Sequence, residues 1–349
     1  MHDRESDRLM DLLIIGGTRF VGRHLVEAAQ ARGDRVTLFN RGQSASPLAP
    51  LPADVTLLRG DRQGDLAALA EGRWDAVIDT CAYLPADANR MARQLANQVG
   101  HYALISSISA YASAALPNTE DAALGQIDDA DTTVVDGRTY GPLKALCEAA
   151  VVKHMGPARS LLIRPGLVVG PFDPTQRFTW WPARLALAAA DGLPVLAPGE
   201  AQRPLQFIDA RDLAAFVLLA LDAGASGAVN AVAPPGFTTM AGLLQACADA
   251  AGVAPRLHWI ADAKLLTQGV KPWIDLPLWL PADAEHAAFM AVPTNRAQAL
   301  GLAIRPLADT VAATLAWWRS LPAEAQAFKL AGLPAEREVS LLLASGSLG

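Results

Sequence analysis

The chain has 349 residues, 52% of them hydrophobic and 18% charged, with a formal net charge of −6. That length suits one large α/β domain or a domain with a smaller lobe, and the composition allows a substantial core. The negative charge argues against a nucleic-acid partner, which needs a basic face, and no segment reaches the roughly 18 apolar residues of a membrane helix.

In chain order, Leu12–Ile15 reads as a buried strand, then a glycine-rich turn, then a helix from Phe20 to Arg32. Further strands are predicted at Arg35–Phe39, Val55–Leu58, Ala76–Ile78, Tyr102–Ser106 and Ser160–Arg164. Helices are predicted at Ala86–Gln98 and Tyr140–His154. Strands alternating with helices imply a doubly wound parallel sheet of Rossmann type, with ligands at the carboxyl ends of its strands.

Past Pro165 the rhythm changes. Pro171, Pro174, Pro182, Pro194, Pro198 and Pro204 divide the chain into short pieces before helices return at Arg211–Leu221, Thr239–Ala251 and Leu307–Arg319. We read residues 11–170 as the dinucleotide-binding core and 171–330 as a smaller substrate lobe, with 204–235 returning to the core. Residues 1–10 and 338–349 read as tails.

The turn Gly16-Gly17-Thr18-Arg19-Phe20-Val21-Gly22 follows a strand and opens a helix, the context a dinucleotide fingerprint requires. Gly16 permits the sharp turn, Gly17 lets the backbone approach a pyrophosphate, and Gly22 lets the helix pack on the sheet. Arg19 is either a surface residue tolerated by the turn or a guanidinium reaching an adenosine phosphate. The second strand ends Phe39-Asn40-Arg41-Gly42, with no acid to grip a ribose 2′-hydroxyl. That absence favours NADP(H) over NAD(H), with Arg41 and Arg19 as phosphate partners and Asn40 nearby. A solvated basic pair is the alternative.

Asp61 stands where an acid can accept from the adenine amino group, or cap a turn. Asp79, Thr80 and Cys81 should run along the cofactor, with Cys81 a small packed residue rather than a nucleophile. Three widely spaced cysteines form neither a metal pattern nor a disulfide framework, so a reducing cytoplasm is expected. None of the six histidines pairs at metal spacing, and no metal is expected.

Tyr140 and Lys144 are four residues apart and share a helix face. A free tyrosine titrates near pH 10, and a neighbouring ammonium should lower that value, making Tyr140 a usable proton donor and acceptor beside a nicotinamide. Ser106 and Ser107 follow the fifth strand and supply a hydroxyl for a substrate oxygen. Tyr83, Ser109, Phe172, Trp180 and Trp181 are candidates for the substrate pocket, together with Phe178, Trp273 and Phe289; core packing is the alternative for each aromatic ring. The acidic stretch between Tyr111 and Tyr140 reads as a surface loop or a mobile lid.

On these motifs the chain resembles the extended short-chain dehydrogenase/reductases, the NAD-dependent epimerase/dehydratase superfamily, over about residues 11–320. Its Gly-Gly-Thr-Arg-Phe turn and Phe39-Asn40-Arg41-Gly42 are similar to an atypical branch, the chloroplast-stem-loop-binding-like proteins. Further matches are Ile105–Tyr111, Leu162–Gly166 and Phe207–Ala214. The resemblance implies catalysis by Tyr140, Lys144 and Ser107, with Pro165, Gly166 and Leu167 lining the nicotinamide. It also implies a homodimer through helices near Met91 and Leu146. Ile108 and Ser109 replace the Asp-Glu pair of nucleotide-sugar dehydratases, and Arg203 stands slightly early for a diphosphate-sugar contact. The expected function is NADP(H)-dependent reduction or oxidation of a small-molecule carbonyl or alcohol. The alternatives are an NAD(P)-dependent epimerase and a non-catalytic dinucleotide- or RNA-binding relative.

Overall fold

A computed structural model describes residues 9–43, 54–254 and 256–346, apart from the side chains of 189–191. Residues 1–8 and 347–349 of the expected tails lie outside the described residues. The first half of the chain contains β1 (Asp11–Ile15), α1 (Phe20–Arg32), β2 (Arg35–Asn40), β3 (Thr56–Arg59), β4 (Trp74–Asp79), α2 (Pro85–Leu95), β5 (Val99–Ile105), α3 (Tyr140–Met155) and β6 (Ser160–Pro165). The second half contains β7 (Leu167–Val169), α4 (Arg177–Asp191), β8 (Val195–Pro198), β9 (Pro204–Leu205), β10 (Phe207–Asp209), α5 (Ala210–Asp222) and β11 (Gly227–Ala231). It continues with β12 (Thr238–Thr239), α6 (Met240–Ala251), β13 (Leu257–Ile260), α7 (Asp262–Thr267), α8 (Asn295–Ala299), α9 (Leu307–Ser320) and α10 (Ala335–Ala344).

Seven parallel strands form the central sheet in the order β3-β2-β1-β4-β5-β6-β11. Alternation along each strand sorts the core between two faces. Leu12 and Ile14 pack with α1 and α5 on one face, while Leu13 and Ile15 pack with α2 and α3 on the other. The strand order reverses between β1 and β4, and the crevice there is where the two carboxyl ends diverge. Segment 204–235 supplies α5 and β11, which pairs with β6 in register Val229↔Ile163.

Beyond the sheet a second core gathers α4, α6, α9 and α10 with β8 and β13. Here the structure departs from the sequence reading. Pro194, Pro198 and Pro204 do bound short pieces, but Pro182 does not, because α4 continues through it for 15 residues. A proline removes one helical hydrogen bond, and buried Phe178, Trp181 and Leu185 offset the loss. The expected tail from residue 338 is corrected likewise: α10 seats Leu341 and Leu342 in the second core, and buried Glu338 pairs with Arg184 at 2.7 Å. Met91, on α2, is buried in the core between that helix and the sheet. Among the described residues, no helix is long and apolar enough to cross a membrane.

Candidate active site

A cleft of about 700 Å³ opens at the switch point. Its floor is the turn from Gly16 to Gly22, including Thr18, Arg19, Phe20 and Val21. Asn40, Arg41, Asp61, Thr80, Cys81 and Tyr83 complete the part of the wall predicted from sequence. Gly16 and Gly17 have φ of +98° and +77°, and a Cβ on Gly22 would stand 2.7 Å from the Gly17 nitrogen. The turn therefore brings the open amino end of α1 against the cleft. That end carries no acidic residue in its first turn and no side-chain cap. Free N–H groups and positive potential suit a pyrophosphate, so the residues present fit a dinucleotide.

Asn40 braces this end. Its amide donates to the Gly16 carbonyl at 3.2 Å and accepts from the Gly42 nitrogen at 2.9 Å. Asp61 lines the cleft and also caps a turn, accepting from the Gln63 nitrogen at 3.0 Å. Asp79 is a correction: it is fully buried and off the cleft wall. Arg62 grips it at 2.9 and 3.0 Å, and the Tyr102 hydroxyl donates to it at 2.8 Å. Burial alone would push its carboxyl up, but the Arg62 charge and these hydrogen bonds hold it below the usual carboxylate range. Arg62 itself lines the cleft and was missed, because its position was not paired with Asp79 on sequence grounds. Burial and the Asp79 charge push the Cys81 thiol up, which makes it a packed residue rather than a nucleophile.

The far end of the cleft adjoins the Tyr140 cluster. Gly141 is required there, since any Cβ would strike the Ser109 carbonyl oxygen. Helix α3 thus lies directly on the 108–110 turn, which places Tyr140 beside Ser107. The Ser107 oxygen accepts from the Ser109 nitrogen at 3.0 Å, leaving its hydroxyl proton for the Tyr140 phenol. Lys144 is buried and donates to the carbonyls of Ala82 and Ile105 at 3.0 and 2.7 Å. Its ammonium stands 5.2 Å from the Tyr83 ring centre and 5.9 Å from that of Tyr140. Tyr83 lines the cleft, and its ring centre is 6.5 Å from that of Tyr140.

One expectation about this cluster is overturned. Lys144 does not lower Tyr140. Burial raises the Tyr140 phenol to about 12, hydrogen bonding with Ser107 opposes the rise, and Tyr83 adds to it. Burial likewise pushes Lys144 down, and its donors are committed to two carbonyls. The phenol is therefore fully protonated near neutral pH.

Several other predicted residues lie elsewhere. Ser106 turns away from the cleft and donates to buried Glu148 at 2.5 Å, and Glu148 is forked by Arg164 at 2.6 and 3.0 Å. Pro165, Gly166 and Leu167 form the exit of β6 but do not line the cleft; the Gly166 Cα packs against Val232, leaving no room for a side chain. Ser109 lies at the foot of α3. Phe172 packs on α1 and α9, between His24 and Trp317, with Arg23 over its ring at 4.5 Å. Trp180 and Trp181 are buried in the second core, where the Trp181 indole donates to the Pro277 carbonyl at 2.8 Å. Phe178 is buried beside them, while Trp273 and Phe289 pack edge to face at 5.4 Å.

The acidic stretch is held as a surface segment. Glu120 accepts from the Asn230 nitrogen at 3.1 Å and from Arg164 at 3.0 Å. Asp136 caps the approach to α3 through the nitrogens of Arg138 and Thr139, and Val135 reaches the cleft. Arg203 forks onto Asp262 at 2.6 and 3.1 Å. Among the described residues, no group of three or more His, Cys, Asp or Glu side chains could hold a metal ion.

A parallel sheet with a glycine turn at its switch point is the architecture of a Rossmann-type dinucleotide-binding fold, here with a Ser-Tyr-Lys cluster beside the cleft. The model of the NAD dependent epimerase/dehydratase family matches residues 12–232, and the chain belongs to that family. It is 27% identical over 257 residues to the chloroplast stem-loop binding protein of 41 kDa b of Arabidopsis thaliana. The match covers 69% of this chain and 63% of the relative, less than two thirds of its length. Among solved structures, a UDP-N-acetylglucosamine 4-epimerase from Methanobrevibacter ruminantium, in complex with UDP-N-acetylmuramic acid, superposes with a TM-score of 0.65 at 15% identity, over 90% of this chain and 99% of that one. The Bordetella bronchiseptica enzyme WbmH, in complex with NAD+, gives 0.61 at 17%, over 89% and 99%. At these identities the solved structures show the fold alone.

Proposed function

We propose that the protein is an NADP(H)-dependent reductase of a small carbonyl compound. The observation that carries this reading is the Tyr140 phenol, joined to Ser107 and set beside Tyr83 on the cleft wall, with no carboxylate at positions 108 and 109. Nicotinamide, when bound, supplies the hydride. Ser107 orients the substrate oxygen, and Tyr140 gives its proton to that oxygen as negative charge develops there. Lys144 packs beside this pair, its ammonium 5.9 Å from the Tyr140 ring centre, and holds the Ala82 and Ile105 carbonyls behind it. Arg19 and Arg41 on the cleft wall, and the lack of an acid at the end of β2, support NADP(H) over NAD(H). The negative net charge argues against an RNA face, and three free cysteines suit a reducing compartment such as the cytoplasm.

The same three groups serve an epimerase in which a transient oxidation is reversed on the other face. Arg203, already neutralised by Asp262, speaks against a diphosphate-sugar substrate. The test is NADPH consumption against a panel of aldehydes and ketones. Net consumption that falls roughly a hundredfold or more in Tyr140→Phe supports the reading. Full activity in that variant, or turnover with no net loss of NADPH, refutes it.

A further inference from the structure

The end of β3 carries a cation, Arg59, that no carboxylate among the described residues claims. Arg59 pairs with Asn40 across β2 and β3, so the two residues sit side by side at the carboxyl ends of the strands. Its guanidinium lies over the Asn40–Gly42 turn. There Nη1 donates to the Asn40 amide oxygen at 2.6 Å. The group also lies in the space a side chain on Gly42 would take, and the φ of +76° there favours glycine. Asn40 is fixed in turn by Gly16 and Gly42, which makes it a rigid mount for the arginine.

Elsewhere among the described residues, four arginines of restricted exposure are matched by acids. Arg62, Arg164, Arg184 and Arg203 each meet a carboxylate within 3 Å. Arg59 is exposed, and among the described residues its one side-chain contact of this kind is Asn40. Arg41 and Arg19 line the adjoining cleft and likewise face no carboxylate among the described residues. A guanidinium offers five donors, and Arg59 uses one. Arg59 is not itself on the cleft wall, but its guanidinium lies against Asn40 and Gly42, which are, next to Arg41; guanidinium groups without a carboxylate at this place suit a phosphate monoester dianion.

We infer that Arg59, mounted on Asn40, is a specificity-determining residue that grips the 2′-phosphate of the coenzyme together with Arg41. This rests on the NADP(H) reading above and adds a residue from the edge strand to it. Asp61, two residues further on, has one carboxylate oxygen engaged by the Gln63 nitrogen, so its charge stays on the neighbouring turn.

The test is binding of 2′,5′-ADP and of 5′-ADP to the full chain, read by tryptophan fluorescence, in the wild type, Arg59→Met and Arg41→Met. We expect the wild type to prefer 2′,5′-ADP. Arg59→Met should weaken 2′,5′-ADP about ten- to a hundredfold and leave 5′-ADP unchanged. Equal wild-type affinity for the two ligands would sink the NADP(H) reading, and this inference with it. A wild-type preference lost in Arg41→Met but kept in Arg59→Met would overturn the role of Arg59 alone. A parallel loss for both ligands in Arg59→Met would mark the arginine as a prop for the turn and also overturn the inference.

Discussion

The proton on Tyr140 and the charge on Lys144 are set by burial more than by each other. Tyr140 is pushed to about 12, and the direction of the shift fixes its consequence. A phenol raised above its ordinary value near 10 favours the folded state while neutral. That contribution is complete below about pH 10 and is lost as pH rises through about 12. In the free protein, the ultraviolet tyrosinate signal that disappears in Tyr140→Phe should therefore develop only above about pH 11. A component titrating near pH 8 would show that Lys144 governs the phenol after all. Lys144 has a second duty, since it satisfies the buried carbonyls of Ala82 and Ile105. Lys144→Met should cost roughly 2 kcal/mol or more in denaturant unfolding, because both acceptors lose their donor. The sequence showed Tyr140, Lys144 and Ser107 through spacing and position. It did not show that Asp79 would be sealed beneath Arg62, because that pairing joins two loops that only the folded sheet brings together. Spacing puts Glu148 on the same helix face as Lys144, but its contacts with Ser106 and Arg164 join the helix to two strand ends and appear only in the folded sheet.

Helices α5 and α6 were legible from their apolar periodicity, α1 and α6 from the left-handed glycine that closes each, and α3 from the Tyr140–Lys144 motif and its place after the fifth strand rather than from periodicity. Helix α4 was not legible, since Pro182 reads locally as a breaker and only packing in the second core overrides it. The same error displaced Trp180 and Trp181, which a helix directs inward and a loop would have offered to a ligand. Helix α10 was missed because its anchor is a charge: Glu338 bonds both Arg184 and the Leu196 nitrogen at the second core. Glu338→Ala leaves Arg184 buried without that partner and should cost about 3 kcal/mol or more in chemical unfolding, with coenzyme affinity little changed. The loop before α4 gives a pH signature. Burial raises Asp173 to about 6, against hydrogen bonds from Thr175. A raised carboxyl favours folding while protonated, and that benefit is lost as pH rises through about 6. Asp173→Asn should therefore gain melting temperature over the wild type at pH 7.5 and gain less at pH 5; a gap that widens on acidification would contradict this assignment.

At the scale of the molecule, two cores divide the work. The sheet and its two helix layers hold the cleft, and the second core buttresses the loop from Pro171 that brings Pro174 to the cleft wall. The sheet order followed from alternating strands and helices, while the second core arises from contacts distant in sequence, such as α4 with α6 and α9. The cleft lies between strands whose ends are fixed by the main core, so coenzyme binding should stabilise the whole sheet. At a hundredfold excess over the dissociation constant, the gain is about 2.7 kcal/mol, and the melting temperature should rise more with NADP+ than with NAD+. The most direct measurement of the central claim is a crystal structure with NADP+ bound. The account predicts the nicotinamide ring at the Tyr83 end of the cleft, its C4 within about 4 Å of the Tyr140 hydroxyl oxygen, as near-attack geometry requires. A Tyr140 hydroxyl turned to bulk water and remote from the nicotinamide would contradict it.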